Sequence, residues 1–246
     1  MTQDQHADAS HTDHSNTVEL LGHYGGDVTH ACSAWTSTSR DLDIVEKKTG
    51  KTRRERIPEL LKQLATSSPP HTSPFEKSFI HFLLKNDKAT HIHLIKHRIA
   101  VSVNAESARY KELKEDNWYY PSDWPTENEG TLEASMMFHA YADIMRDAHH
   151  AYHKLVKLAE EWFESKGMSQ PDARKRAKES ARFVLPHASQ VQQDVSFNFL
   201  SFMHFQKLRN HPHAQREVRL MAQEMLDAVV NIPGSPFRHS LAAFGY

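Results

Sequence analysis

The sequence predicts an α+β chain, a sheet flanked by helices with a long helical C-terminal half. Three observations carry that expectation. Thr17–His23, ahead of Gly25-Gly26, and Phe79–Leu84 are short apolar runs bounded by turn residues, with the length of strands. Ile57, Leu60, Leu61 and Leu64 recur at i, i+3, i+4 and i+7, the spacing of one helix face. From Leu132 to about Lys166, Tyr141, Ile144, Met145, Ala148, Tyr152, Leu155, Val156, Ala159, Trp162 and Phe163 mark the buried stripe of a single long helix. That stripe reads as core rather than as a cofactor box.

The remaining segments follow in order. Residues 1–16 are polar and His-rich, with almost nothing to bury, and are expected to form a disordered tail. Lys47–Arg56 is a strongly basic turn around Gly50, and Ser67-Ser68-Pro69-Pro70 ends the helix of the Leu60 stripe. Asp87 is placed to cap a helix from Lys88 to about Arg98 with Ile92, Ile95 and Ile99 on one face, although the alternation in His91–Ile95 would equally allow a strand. Asn117–Pro125 is an aromatic, proline-rich loop that continues to Gly130. Gly167 closes the long helix, and Ser169 with Pro171 opens the next, which ends in Ala181-Arg182-Phe183-Val184-Leu185-Pro186.

Composition narrows the function classes. The 246 residues are enough for one large domain, and 39% hydrophobic with 25% charged residues is ordinary for a water-soluble chain. No apolar run approaches the roughly 20 residues of a membrane span, and the N-terminus lacks the layout of a secretory signal, so a cytoplasmic enzyme without a membrane partner is expected. A net charge of −1, from 30 basic and 31 acidic residues, argues against a protein built to coat nucleic acid. Cys32 is the only cysteine, which excludes an internal disulfide and a thiolate metal cluster. The 19 histidines are dispersed; His91/His93, His149/His150 and His211/His213 are the closest groups, and a structural or surface role is expected for each ahead of a metal site.

One stretch stands apart. Lys96-His97-Arg98 is followed at short range by Ser102, Asn104, Ser107 and Arg109, so fixed cations sit beside hydroxyl and amide donors. Arginine offers a planar fork to a phosphate and lysine a point charge, while serine and asparagine favour turns whose N–H groups point at an oxyanion. The outline is that of an anion site.

In order and spacing this stretch resembles the signature of the flavin-dependent thymidylate synthases: Arg-His-Arg, two residues, Ser, one residue, Asn, two residues, Ser, one residue, Arg-Tyr. His97, Arg98, Ser102, Asn104, Ser107, Arg109 and Tyr110 match. Lys96 stands where the family has its first Arg, and three residues, Ile99, Ala100 and Val101, fill a gap of two. An extra residue inside a helix would turn everything after it by roughly 100°, so it is expected where helix gives way to loop. Three further segments are similar to the family: His71-Thr72-Ser73-Pro74-Phe75-Glu76; Ala181-Arg182-Phe183-Val184-Leu185-Pro186; and Val195 to Glu217, with Asn198, Ser201, Leu208-Arg209 and His213-Ala214-Gln215. The departures there are His204 in place of Asn and Leu200 in place of Arg, both expected near the flavin.

The resemblance implies the family fold, a mixed or antiparallel sheet flanked by helices, over residues 17–246 as one catalytic domain, with a helix at Lys88–Arg98. It implies reductive methylation of dUMP to dTMP, with methylenetetrahydrofolate as carbon donor and NADPH as reductant acting through FAD. His71, Ser73, Glu76, His97, Arg98, Asn198 and His204 would line the FAD. Ser107 and Arg109 would hold the nucleotide phosphate from one subunit, with His93, where the family usually has Gln, Lys96 and Arg182 approaching from another. Arg209 would contact the pyrimidine carbonyl region, so Arg209 and Ser107 are the expected catalytic residues, and a homotetramer is implied.

Cys32 stands in no Pro-Cys or His-paired setting that would activate it, so addition of an enzyme thiolate to the uracil ring is not expected. Three other readings remain open from the residues: a related hydroxymethylase acting on dUMP or dCMP, a nucleic-acid binder using Lys47–Arg56 with the Trp118–Trp124 aromatics, and a histidine-rich metal carrier.

Overall fold

The structure, a computed structural model, describes residues 14–38, 52–107, 111–112 and 117–246. Arg109, Tyr110, most of the His-rich tail and most of the basic turn around Gly50 lie outside the described residues. The chain divides into two compact units, and each is described by itself.

The larger unit comprises residues 17–85, 89–105 and 191–246. Strands β1 (Thr17–Tyr24), β2 (Phe79–Asp87), β3 (Val101–Ala105) and β4 (Gln190–Asn198) form one sheet in the order β1-β2-β4-β3. Both outer pairs are antiparallel, Val18 opposite Leu84 and Val103 opposite Val195, and β1 carries a bulge between Leu20 and Gly22. Alternate residues of the central strands are buried, Ile80, Phe82 and Leu84 on β2 and Val195 and Phe197 on β4, which is the period of a sheet with one covered face.

That face is covered by helices α1 (Asp27–Thr38), α2 (Arg53–Thr66), α6 (Phe199–Arg209), α7 (Arg216–Val230) and α8 (Arg238–Ala243). The short α3 (Lys88–Leu94) also belongs mainly to this unit. α2 carries the predicted stripe, with Ile57 and Leu61 buried. The run Arg53–Arg56 is the first turn of this helix rather than a basic loop, because Thr52 and Glu55 form a capping box. α6 buries Phe199, Phe202, Met203, Phe205 and Gln206, while His204, Lys207 and Leu208 on its other side are exposed.

The smaller unit contains residues 14–16, 86–88, 106–107, 111–112 and 117–190 among those described. α4 (Leu132–Ser165) and α5 (Gln170–Ala181) pack on each other through Tyr152, Val156, Ala177 and Ala181. Gly167, at φ 89°, ends α4: its N–H bonds Glu164 O and that of Met168 bonds Phe163 O, a Schellman closure. The expected stripe is only partly buried. Met145, Tyr152 and Val156 are covered, but Ile144, Leu155 and Trp162 are 60%, 40% and 59% exposed, because α5 and the aromatic loop cover a narrower strip. Trp118 and Tyr120 pack with Ala142 and Met145 in a small core, so they do not form an open stacking platform. His14 stacks on Trp118 at 3.6 Å between ring centres and Asn16 donates to Asp87, which places the last residues of the expected tail within this unit.

Among the described residues no helix is long and apolar enough to cross a membrane, and no group of three His, Cys, Asp or Glu side chains could hold a metal ion.

Candidate active site

The helix expected to run to Arg98 ends at Leu94. In a longer helix the His93 carbonyl would accept the N–H of His97. Here the His97 N–H turns to Leu94 O instead, and Arg209 Nη2 reaches the His93 carbonyl at 3.5 Å. The expected apolar face is not buried either: Ile92 and Ile95 are each 40% exposed, whereas Thr90 and Leu94 are buried. Asp87 is buried with its carboxylate accepting from Asn16 Nδ2.

Residues 95–100 therefore form a loop, and the extra residue of the signature falls in it. Ala100 adopts φ 51°, a left-handed conformation unusual for a residue with a Cβ, and the strand begins at the next residue. Ser102 and Asn104 are not turn residues around an anion. They lie on the exposed side of β3, paired with Ser196 and Asp194 of β4, because strand pairing satisfies their backbone more fully than a turn would.

This loop and α6 enclose a pocket of about 610 Å³. Lys96, His97, Arg98 and Ile99 line one side, and Leu200, Ser201 and His204 of α6 the other. Both departures of the last segment, Leu200 and His204, are thus in the pocket wall. Two bonds tie the loop to the start of α6: Ser201 Oγ donates to Ile99 O at 2.7 Å and the Asn198 N–H donates to Ala100 O at 3.0 Å. Asn198 itself is buried, with its Oδ1 accepting from the Ser201 N–H at 2.8 Å as the N-cap of α6. It fixes the wall and does not line it.

Arg209, in the last turn of α6, lies beside His97. Its Nε donates to His97 Nε2 over 2.9 Å, and its Nη1 approaches His93 Nδ1 at 3.4 Å. Burial, then the charge of Arg209, then that of His204 lower the His97 pKa to about 4, so the ring is neutral near pH 7. Its edge packs on Phe205 at 5.0 Å. Four sequence-predicted residues, Lys96, His97, Arg98 and His204, therefore meet in one pocket with Arg209 and His93 adjoining it. Ile99, Leu200 and Ser201 complete it; the sequence signalled Ile99 through the widened gap of the signature, Leu200 as a departure from the family, and Ser201 through its segment's similarity.

His71, Ser73 and Glu76 are exposed on the segment around the 3-10 turn Ser73–Lys77 and do not line this pocket. Ser107 and Arg182 belong to the smaller unit. Arg182 opens the turn after α5, half-buried, and the Lys88 backbone N–H bonds His187 O and Ser189 O a few residues further on. Burial, then Arg182, lower the Lys88 pKa. Among the described residues no carboxylate pairs with either cation.

The pocket's donor set suits a flavin nucleotide: cations for phosphates, imidazoles and a hydroxyl for hydrogen bonds, and Ile99 and Leu200 for an apolar ring, in a volume typical of cofactor sites. Cys32 is exposed on α1 and is not part of it.

Comparison with known proteins gives the chain a family. Residues 19–233 match the family model described as Thy1, thymidylate synthase complementing protein. A flavin-dependent thymidylate synthase of Pseudothermotoga lettingae is 32% identical over 211 residues, 83% of this chain and 80% of that protein. One from Clostridium tetani is 29% identical over 171 residues, 69% of this chain and 66%, just under two thirds, of that protein. Among solved structures, a UMP/dUMP methylase, PolB, from Streptomyces cacaoi bound with 5-Br dUMP has the same fold, with a TM-score of 0.71 at 24% identity over 94% of this chain and 95% of that one. The chain belongs to the Thy1 family, that of the flavin-dependent thymidylate synthases.

Proposed function

We propose that this protein methylates dUMP reductively to dTMP, with methylenetetrahydrofolate as carbon donor and NADPH as reductant acting through FAD. The observation that carries the reading is the 610 Å³ pocket in which the signature cations Lys96 and Arg98 meet His204, with Arg209 braced beside it, in a chain of this family. FAD, when bound, supplies the reducing equivalents. The residues supply position and charge: Lys96 neutralises phosphate oxygens of the substrate nucleotide and Arg98 those of the flavin nucleotide, Ile99 and Leu200 shelter the apolar ring, and Arg209 donates to the pyrimidine and stabilises negative charge developing there. His71, Ser73 and Glu76, which lie outside this pocket, are assigned to the flavin by their segment's similarity to the family, and Asn198 holds the pocket wall.

Ser107, Arg109 and Arg182 are assigned to the nucleotide phosphate. Lys88 beside Arg182 supports that assignment, because two neighbouring half-buried cations, one of which lowers the pKa of the other, favour an anion between them. We assign residues 17–246 as one catalytic domain that works as a homotetramer. Large exposed apolar residues support the assembly: Ile99 is 85% exposed, Phe183 83%, Leu132 71% and Trp162 59%.

The folate product tests the reading. With FAD, NADPH, dUMP and methylenetetrahydrofolate the released folate is expected to be tetrahydrofolate, and an undiminished yield is expected from Cys32→Ser. Release of dihydrofolate, or loss of turnover in Cys32→Ser, would overturn it.

A further inference from the structure

The bonds around Arg209 have one consistent polarity. Gln215 Nε2 donates to Glu217 Oε2 at 2.9 Å, so the amide oxygen Oε1 faces His93. His93 Nε2 lies 2.9 Å from that Oε1 and must carry the proton, because an amide oxygen only accepts. Nδ1 of His93 is then a lone pair, and it faces Arg209 Nη1 at 3.4 Å. On the other side His97 Nε2 accepts from Arg209 Nε, so His97 carries its proton on Nδ1. One lone pair of each ring thus faces a single guanidinium, and the polarity of each ring is set by its partners.

We infer that His93 and His97 are positioning residues for Arg209, holding its guanidinium between two acceptors, and that Gln215 and Glu217 set the His93 tautomer. The inference deepens the functional reading above and rests on it for the role of Arg209. It assigns His97 a second task besides lining the pocket. It also gives work to Gln215 and Glu217, and to the histidine at position 93 where relatives usually carry glutamine. Arginine has five N–H donors, and three are engaged by His97, His93 Nδ1 and the His93 carbonyl. Two remain for other acceptors, and the plane that carries them is fixed in advance, so that one can reach an oxygen of the pyrimidine.

A double-mutant cycle tests the bracket. His97→Leu, His97→Gln, Arg209→Lys and the double variant His97→Leu/Arg209→Lys are compared by dUMP affinity of the FAD-loaded protein, by flavin content from absorbance, and by urea unfolding without ligand. His97→Leu is expected to weaken dUMP binding about tenfold, the scale of one charge-assisted hydrogen bond. His97→Gln, whose amide oxygen also accepts, is expected to restore most of it. In the Arg209→Lys background His97→Leu is expected to cost less than twofold, because the guanidinium it positions is gone. Gln215→Leu is expected to weaken binding by a few-fold with flavin content unchanged.

Effects of His97→Leu and Arg209→Lys that multiply in dUMP affinity would overturn the inference, even with coupling in urea unfolding, since the contact would then be structural only. So would loss of flavin in His97→Leu that accounts for all of its lost affinity. If the wild type binds no pyrimidine nucleotide, the functional reading fails first, and the role assigned to Arg209 with it. Wild-type binding with uncoupled variants overturns the bracket alone.

Discussion

His30 is fully buried in the larger unit, between α8 and the start of β2, and its hydrogen bonds fix its charge state. Ser240 Oγ donates to Asp27 Oδ1 at 2.6 Å, so it accepts from His30 Nδ1–H at 2.7 Å, and His30 Nε2 accepts from Ser78 Oγ at 2.5 Å. Phe75, Phe199 and Phe237 surround the ring. Burial lowers its pKa from the ordinary 6.5 to about 4. The unfolded chain takes up this proton as pH falls through 6.5, while the folded chain resists until about 4. Stability from His30 is therefore fully present above pH 6.5 and is lost between 6.5 and 4. Each pKa unit corresponds to about 1.4 kcal/mol, so the contribution is about 3 kcal/mol.

His30→Gln removes the titration and keeps a polar side chain. Measured by urea unfolding at pH 7, the variant is expected to be less stable than the wild type by about 2–4 kcal/mol, since it disturbs two buried hydrogen bonds. At pH 4 the gap is expected to shrink by about 3 kcal/mol. A difference independent of pH between 7 and 4 would refute the neutral, buried assignment.

Four other outcomes are expected. Lys96→Arg restores a planar fork and is expected to tighten nucleotide binding by about tenfold, read by calorimetry. Ala100→Gly relieves the left-handed strain of the loop and is expected to raise stability by up to about 1 kcal/mol, read by thermal denaturation. Gly26→Ala is expected to lower stability by at least about 2 kcal/mol in the same assay, because the new Cβ would lie 2.5 Å from the Pro236 carbonyl oxygen at φ 149°. Asn198→Ala removes the cap of α6 and is expected to cost about 1 kcal/mol and weaken flavin retention, read by equilibrium dialysis.

What the sequence made legible was local. The Leu60 stripe, the Gly167 stop and the Ser169/Pro171 start each depend on residues within a few positions, and each lies where its pattern placed it. The failures trace to distant partners. α3 stops at Leu94, where Arg209, more than 100 positions away, reaches the His93 carbonyl, and no local propensity encodes that contact. Ser102 and Asn104 prefer turns by type but are recruited by Ser196 and Asp194 into a strand. Ile144 and Trp162 fit the periodicity of α4 yet remain exposed, since periodicity names a face and not what covers it.

At the site, motif order brought Lys96, His97, Arg98 and His204 to one pocket, because the loop and α6 that carry them are each short and continuous. Asn198 was legible as important but not as a cap, and the network of Asp27, His30, Ser78 and Ser240 left no sign in a sequence that spreads it across the whole chain.

The central claim is tested most directly by the mass of the nucleotide formed from dUMP in the presence of the purified protein, FAD, NADPH and methylenetetrahydrofolate. A product heavier than dUMP by one CH₂ unit is the expected result. A product heavier by CH₂O, or none from dUMP but one from dCMP or UMP, would contradict it.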